Sequence, residues 1–162
     1  MTLGDISLAK GFSEVKEAVN SVVFRKKLSV VFSISRNDPV ELTVDSNLAQ
    51  NAIGTVKTCP TKDAVEAAFK EFLKMCEEQK DKPFYVVYDF GYFTKEDVYR
   101  STMILISFIP EKTKGLTKMI YSTNVQSLKD SFAIPFLFEA NAIGDINYNK
   151  IRDHVARIQI SY

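Results

Sequence analysis

The sequence predicts an α/β fold, a mixed central β-sheet of about five strands sandwiched between helices. Two nearly continuous apolar runs, Phe84 to Phe90 and Met103 to Ile109, have strand length. Strands of this kind are covered on both faces and lie centrally in a sheet. Other segments repeat their apolar residues at helical spacing, and the order α-β-β-(short β)-α-β-β-α-β-α lets helices cover both sides of one sheet.

Each element has a local reason. Leu8, Phe12, Val15, Val19 and Val22 recur at helical spacing, which predicts an amphipathic helix over roughly Asp5 to Ser21. Leu28 to Ile34 alternates and is rich in β-branched residues. Asn37-Asp38-Pro39 is a turn signal, and Val40 to Val44 is the expected return strand. Ser46 to Pro60 reads as a long irregular connection with a short strand near Ile53 to Val56. Thr61 is the expected N-cap of a helix that buries Val65, Ala68, Phe69, Phe72, Leu73 and Cys76 and ends before Lys82-Pro83. Between the two apolar strands, Gly91 to Ser101 reads as a polar hairpin-like loop. A third helix begins at Leu116, with Tyr121, Leu128 and Phe132 on one face and Lys118, Ser122, Val125 and Lys129 on the other. Ile134 to Phe138 is a further strand. Asp145-Ile146-Asn147 leads into a last helix carrying Tyr148, Ile151, Val155 and Ile158 inward.

Composition narrows the function classes. At 162 residues the chain fits one domain, 1–162, with a substantial core. A net charge of +1 gives no support to broad nucleic-acid binding. Cys59 and Cys76 suggest neither a disulfide framework nor a metal site, since His154 is the only histidine and lies far off in sequence. Reduced thiols, no apolar leader in Met1 to Lys10 and no apolar run of about 18 residues point to a soluble, cytoplasmic protein. Gly4 is not placed for myristoylation. An enzyme has little to stand on, because no Gly-x-Ser-x-Gly elbow or phosphate-cradling loop occurs among six glycines. Asp89, at the end of a buried strand, has no identifiable catalytic partner and reads as structural.

Several local segments resemble the ADF/cofilin family in order along the chain. Lys118-Met119-Ile120-Tyr121 resembles the opening of that family's long actin-binding helix. Tyr85-Val86-Val87-Tyr88-Asp89-Phe90 resembles its Tyr-x-x-Tyr-Asp-Phe strand, and Arg100-Ser101 its basic-Ser pair. Ser107-Phe108-Ile109-Pro110 matches a strand end where the family usually has Trp, and Glu139-Ala140-Asn141 resembles a Gln-Ala-Asn segment. The resemblance covers nearly the whole chain. It implies the ADF-homology fold, no enzymatic activity, no cofactor or metal, and a monomer that binds actin and regulates filament turnover in the cytoskeleton.

The resemblance also implies two surfaces. The monomer-binding surface would comprise Ser7, Leu116, Lys118, Met119, Val125 and Lys129; the filament surface would comprise Arg100, Asp153, His154 and Arg157. Ser7 falls where the family carries a regulatory serine, but its neighbours are Leu8-Ala9, and a plain helix N-cap is the competing reading. Lys118 is either an actin contact or a solvated lysine. The stripe Lys150, Asp153 and Arg157 is either a contact or a solvated face. Lys112, Lys114, Lys118 and Lys129 are the candidate phosphoinositide patch. Leu116, Val125 and Asp130 stand where the family usually has basic or charged residues, and Thr102 replaces a lysine. Lost contacts of on the order of 1 kcal/mol each imply weak filament severing. Glia-maturation-factor-like action on the Arp complex, or coactosin-like filament binding without severing, is the alternative on the same fold.

Overall fold

The computed structural model describes residues 5–35, 40–52 and 60–160. The expected turn at Asn37-Asp38-Pro39, the short strand near Ile53 to Val56, and Cys59 lie outside the described residues.

The N-terminal helix is broken where one continuous helix was expected. Ile6–Leu8 forms a 3-10 turn, and α1 runs only over Phe12–Val23. The break is Gly11, which has φ +82° and whose added Cβ would lie 1.9 Å from the Leu42 carbonyl oxygen. Lys10 forms a parallel bridge with Glu41: its N–H donates to the Val40 carbonyl at 3.2 Å, and its carbonyl accepts from Leu42 N–H at 2.8 Å. Without a side chain, Gly11 lets the chain pass this close and turn into α1. The break also reverses the expectation for Leu8, which is 80% exposed.

The sheet is built from β1 (Lys27–Ser35), β2 (Glu41–Asn51), β3 (Phe84–Phe93), β4 (Tyr99–Phe108) and β5 (Phe136–Ala140), in the order β2-β1-β3-β4-β5. All neighbouring pairs are antiparallel except β4 and β5, which are parallel. A parallel pair requires a long crossover, here provided by α3 (Gly115–Ser131). α2 (Lys62–Glu78) connects β2 to β3, and α4 (Tyr148–Ile160) follows β5. The Thr61 hydroxyl accepts from Ala64 N–H at 3.1 Å, so the expected cap is present.

Three strands extend into segments read as loops. β2 continues to Asn51, because an edge strand facing water on one side tolerates Ser46 and Asn47. Its register has shifts near Ser29, where Ser29 Oγ donates to Gln50 Oε1 at 3.0 Å and Gln50 Nε2 donates to the Ala68 carbonyl at 3.3 Å. β3 and β4 pair all the way to Phe93 and Tyr99, so Gly91 to Ser101 is mostly strand and Arg100-Ser101 lies within β4. The polar tip is only Thr94 to Val98. It is closed by Thr94 N–H to the Val98 carbonyl at 2.9 Å, and Asp97, at φ +61°, pairs with Lys62 of α2.

Side chains alternating along β3 divide the core into two layers. Tyr85 and Val87 face α1 and α3; Val86, Tyr88 and Phe90 face α2 and α4. On the first side Phe12 stacks on Phe132 at 5.3 Å between ring centres, and Phe32 meets Phe132 edge-on. On the second, Phe72 lies 4.5 Å from Tyr88, and Tyr148 lies 5.0 Å from Phe90. Cys76 is buried in that layer, and burial pushes its thiol up to about 12. The apolar coverage of both faces follows from strands that are apolar on both faces.

Candidate functional site

α3 positions the residues singled out in the sequence, and Tyr121 fixes the helix. Tyr121 Oη accepts from Ile34 N–H at 3.3 Å and donates to the Pro83 carbonyl at 3.1 Å. Tyr85 Oη donates to the Tyr121 carbonyl at 2.6 Å. Burial pushes the Tyr121 phenol up to about 12, so it stays a neutral donor. In Lys118-Met119-Ile120-Tyr121, Ile120 and Tyr121 are therefore anchors, while Met119 is 44% exposed and Lys118 half-buried.

Leu116 is 52% exposed and lies on the same outward stripe as Met119, Ser122, Gln126 and Asp130. Val125 corrects the expectation of an outward position: it is 5% exposed and belongs to the core beside Leu128 and Phe132. The reason is helical geometry. At 3.6 residues per turn, Val125 is only about 40° around the helix from Tyr121 and about 20° from Phe132. Its apolar side chain closes the buried arc, with half-buried Lys118 and Lys129 at the rim.

The start of α3 is electropositive. Lys114 occupies the N-cap position without a side-chain cap bond, and the first turn has no acidic residue. Lys112 and Lys114 are exposed just ahead of it. Open N–H groups and the positive end of the helix dipole disfavour lysines there, yet suit an anionic partner group.

The 3-10 turn packs against α3, and its Ser7 and Leu8 are exposed. Asp5 caps this turn, accepting from Ser7 N–H at 3.0 Å, a bond that holds the Asp5 carboxyl below its usual range. Ser7 is thus exposed and does not fill the cap position itself. Leu8 is the residue that sequence periodicity missed. Gly11 and the Asp5-x-Ser7 cap were the available signals that the helix begins later.

The second set is only partly brought together. Lys150, Asp153, His154 and Arg157 line a shallow open depression with Leu137, Phe138 and Glu139 of β5. The His154 ring lies edge-on to Phe136 and Phe138, with centres 6.0 and 5.5 Å apart, and its Nδ1 is 3.4 Å from Arg157 Nη2. Arg100 is exposed on β4 opposite Tyr92 and does not line that depression. Asp89 is half-buried; burial raises its carboxyl above the usual range, opposed by the nearby Arg25 guanidinium.

Among the described residues, no group of three or more His, Cys, Asp or Glu side chains could hold a metal ion. No helix among them is long and apolar enough to cross a membrane.

Comparison with known proteins agrees with this architecture. Residues 10–156 match the family model described as "Cofilin/tropomyosin-type actin-binding protein". Actin-depolymerizing factor 4 of rice, Oryza sativa subsp. japonica, is 32% identical over 72 residues, covering 44% of this chain and 52% of that protein. Actin-depolymerizing factor 3 of Zea mays is 31% identical over 70 residues, 43% of this chain and 50% of that one. The chain therefore spans about half the length of the curated relatives it matches. A cofilin from Streptomyces griseoflavus shares the fold with a TM-score of 0.64 at 18% identity, over 89% of this chain and 94% of that one. The ADF-like UNC-60A protein of Caenorhabditis elegans gives 0.65 at 14% identity, over 88% and 90%. A glia maturation factor from Caenorhabditis elegans gives 0.56 at 16% identity, over 90% and 94%. The matched segment runs from the Lys10 bridge into α4, taking in every strand of the sheet, and the chain belongs to the non-enzymatic cofilin/ADF family of actin-binding proteins.

Proposed function

We propose that this chain is a single-domain, monomeric, cytoplasmic protein that binds actin monomers and filament sides and promotes filament turnover, with weak severing. The observation that carries the reading is the pairing of the 3-10 turn with α3. Leu8 is exposed on the turn, and exposed Leu116 and Met119 accompany Lys118 at the electropositive start of the helix. The apolar trio supports contact with an apolar cleft, and Lys118 pairs with an acidic group beside it. Lys129 lies further along the same helix at the rim. Val125 makes no contact in this reading.

Ser7 is an exposed hydroxyl on that turn, and a phosphate there would add nearly two negative charges and oppose binding. Lys112, Lys114, Lys118 and Lys129 form a secondary patch for phosphoinositides on the same side. Arg100, Asp153, His154 and Arg157 are the proposed filament contacts. Their separation into a β4 position and an α4 depression supports the expectation of weak severing.

Titration of labelled monomeric actin in its ADP and ATP states tests the reading. Lys118→Ala should weaken binding about fivefold, from loss of one ion pair at a partly dry edge. An unchanged affinity would remove the reading, as would capture of the filament-branching complex in place of actin. Rapid severing in filament imaging would overturn the weak-severing element alone.

A further inference from the structure

The proposed filament contacts fall in two places, and one side chain joins them. Arg100 stands opposite Tyr92 in the β3–β4 pair. Directly opposed residues project to the same face of a sheet. Tyr92 belongs to the layer that faces α2 and α4, so Arg100 emerges on the side of the sheet that carries α4. Tyr148 is the first residue of that helix, and its hydroxyl donates to the Gly91 carbonyl of β3 at 3.0 Å. Gly91 is the chain neighbour of Tyr92. The Tyr148 ring continues the link: it lies 5.0 Å from Phe90, which stacks on Tyr92 at 6.2 Å. Phe69 of α2 meets the same ring edge-on at 5.2 Å. A row of aromatic rings and one hydrogen bond thus lead from α4 to the strand pair that carries Arg100.

The rest of α4 is seated by apolar contact. Ile151 and Val155 are buried in the layer, and the His154 ring lies against Phe136 and Phe138 of β5. Such contacts fix the depth of the helix, but they are non-directional and tolerate small slides along the sheet. The Tyr148 bond is directional. Burial raises the phenol above its ordinary range, so it remains a donor at neutral pH. We propose that Tyr148 is a positioning residue that sets the spacing of Arg100 from Asp153 and Arg157, and so favours filaments over monomers. The inference rests on the filament surface proposed above. A filament side that spans both places reads that spacing, and groups already held in register lose less freedom on engagement. A monomer bound along α3, on the other face of the sheet, does not read it.

Tyr148→Phe keeps the ring and removes the bond. The variant should cosediment with actin filaments about threefold more weakly, within what one hydrogen bond supplies, while its affinity for labelled monomers stays unchanged. In an Arg100→Ala background the same change should have little further effect, because the spacing then has no Arg100 to place. The imidazole of His154, the only histidine, reports on α4 without actin, and its NMR signals should shift in Tyr148→Phe. Unmoved His154 signals overturn the proposal, as does an equal loss of affinity for monomers and filaments. Additive losses in the double variant overturn it too. If Arg100→Ala weakens filament binding and Tyr148→Phe does not, the positioning role alone falls. If Arg100→Ala leaves filament binding intact, the filament surface falls and the proposal with it.

Discussion

Gly11→Ala isolates the junction that aims the N-terminal turn. The substituted Cβ would stand 1.9 Å from the Leu42 carbonyl oxygen and 3.0 Å from its carbonyl carbon, both backbone atoms with no rotamer to retreat into. The residue would also keep a left-handed φ of +82°, worth about 1–2 kcal/mol for a non-glycine residue. Relieving the overlap means parting Lys10 from β2, which breaks the bonds at 3.2 and 2.8 Å that join Lys10 to Val40 and Leu42. Two hydrogen bonds at about 0.5–1.5 kcal/mol each bring the total to roughly 2–5 kcal/mol. For a chain of this size each kcal/mol moves Tm by about 3 °C, so thermal unfolding should shift down by roughly 6–15 °C. Gly144→Ala is the control, since nothing lies within 4 Å of a Cβ there. A Gly11→Ala shift no larger than the control's would refute the reasoning, because it would mean that the close approach is not maintained in solution.

The same backbone argument reverses at Ala133, which caps α3 at φ +53° in a second Schellman motif, with Ile134 N–H donating to the Lys129 carbonyl at 3.0 Å. Ala133→Gly should raise stability by about 0.5–1 kcal/mol, the relieved strain less the extra freedom of glycine in the unfolded chain, as read by urea unfolding. Asp89 carries a pH prediction. Burial raises its folded carboxyl above the ordinary 3.8, so the native state binds a proton more tightly than the unfolded one. Stability is then lost as pH rises from 3.8 through the raised value, and the cost is fully present above it. Asp89→Asn should therefore raise Tm at neutral pH and leave it unchanged below the carboxylate range. A lower Tm at neutral pH would show that the attraction of Arg25 outweighs burial.

Most of the architecture was legible because it rests on local periodicity. Phe84 to Phe90 and Met103 to Ile109 are apolar on both faces whatever surrounds them, and Thr61 caps whichever helix follows. The errors fell where a neighbour outside the segment decides. Ser46 and Asn47 look like loop residues until the pairs of Asp45 and Gln50 with β1 carry them inside β2, and Leu8 looks helical until Leu42 forces a turn at Gly11. The candidate site divides the same way. Lys118, Met119 and Leu116 could be named from a short motif and its flanks, but their exposure depends on how deeply α3 settles. Tyr121 sets that depth through Ile34 and Pro83, residues remote in sequence. Val125 lies on the margin of the apolar arc, where about 20° of helix rotation separates core from surface, and periodicity alone does not resolve so small an angle. By itself the sequence determined the layers, most of the helix faces and the family. Only the tertiary structure decided which edge residues emerge beside one another, because that depends on long-range hydrogen bonds and close backbone approaches that no local pattern encodes.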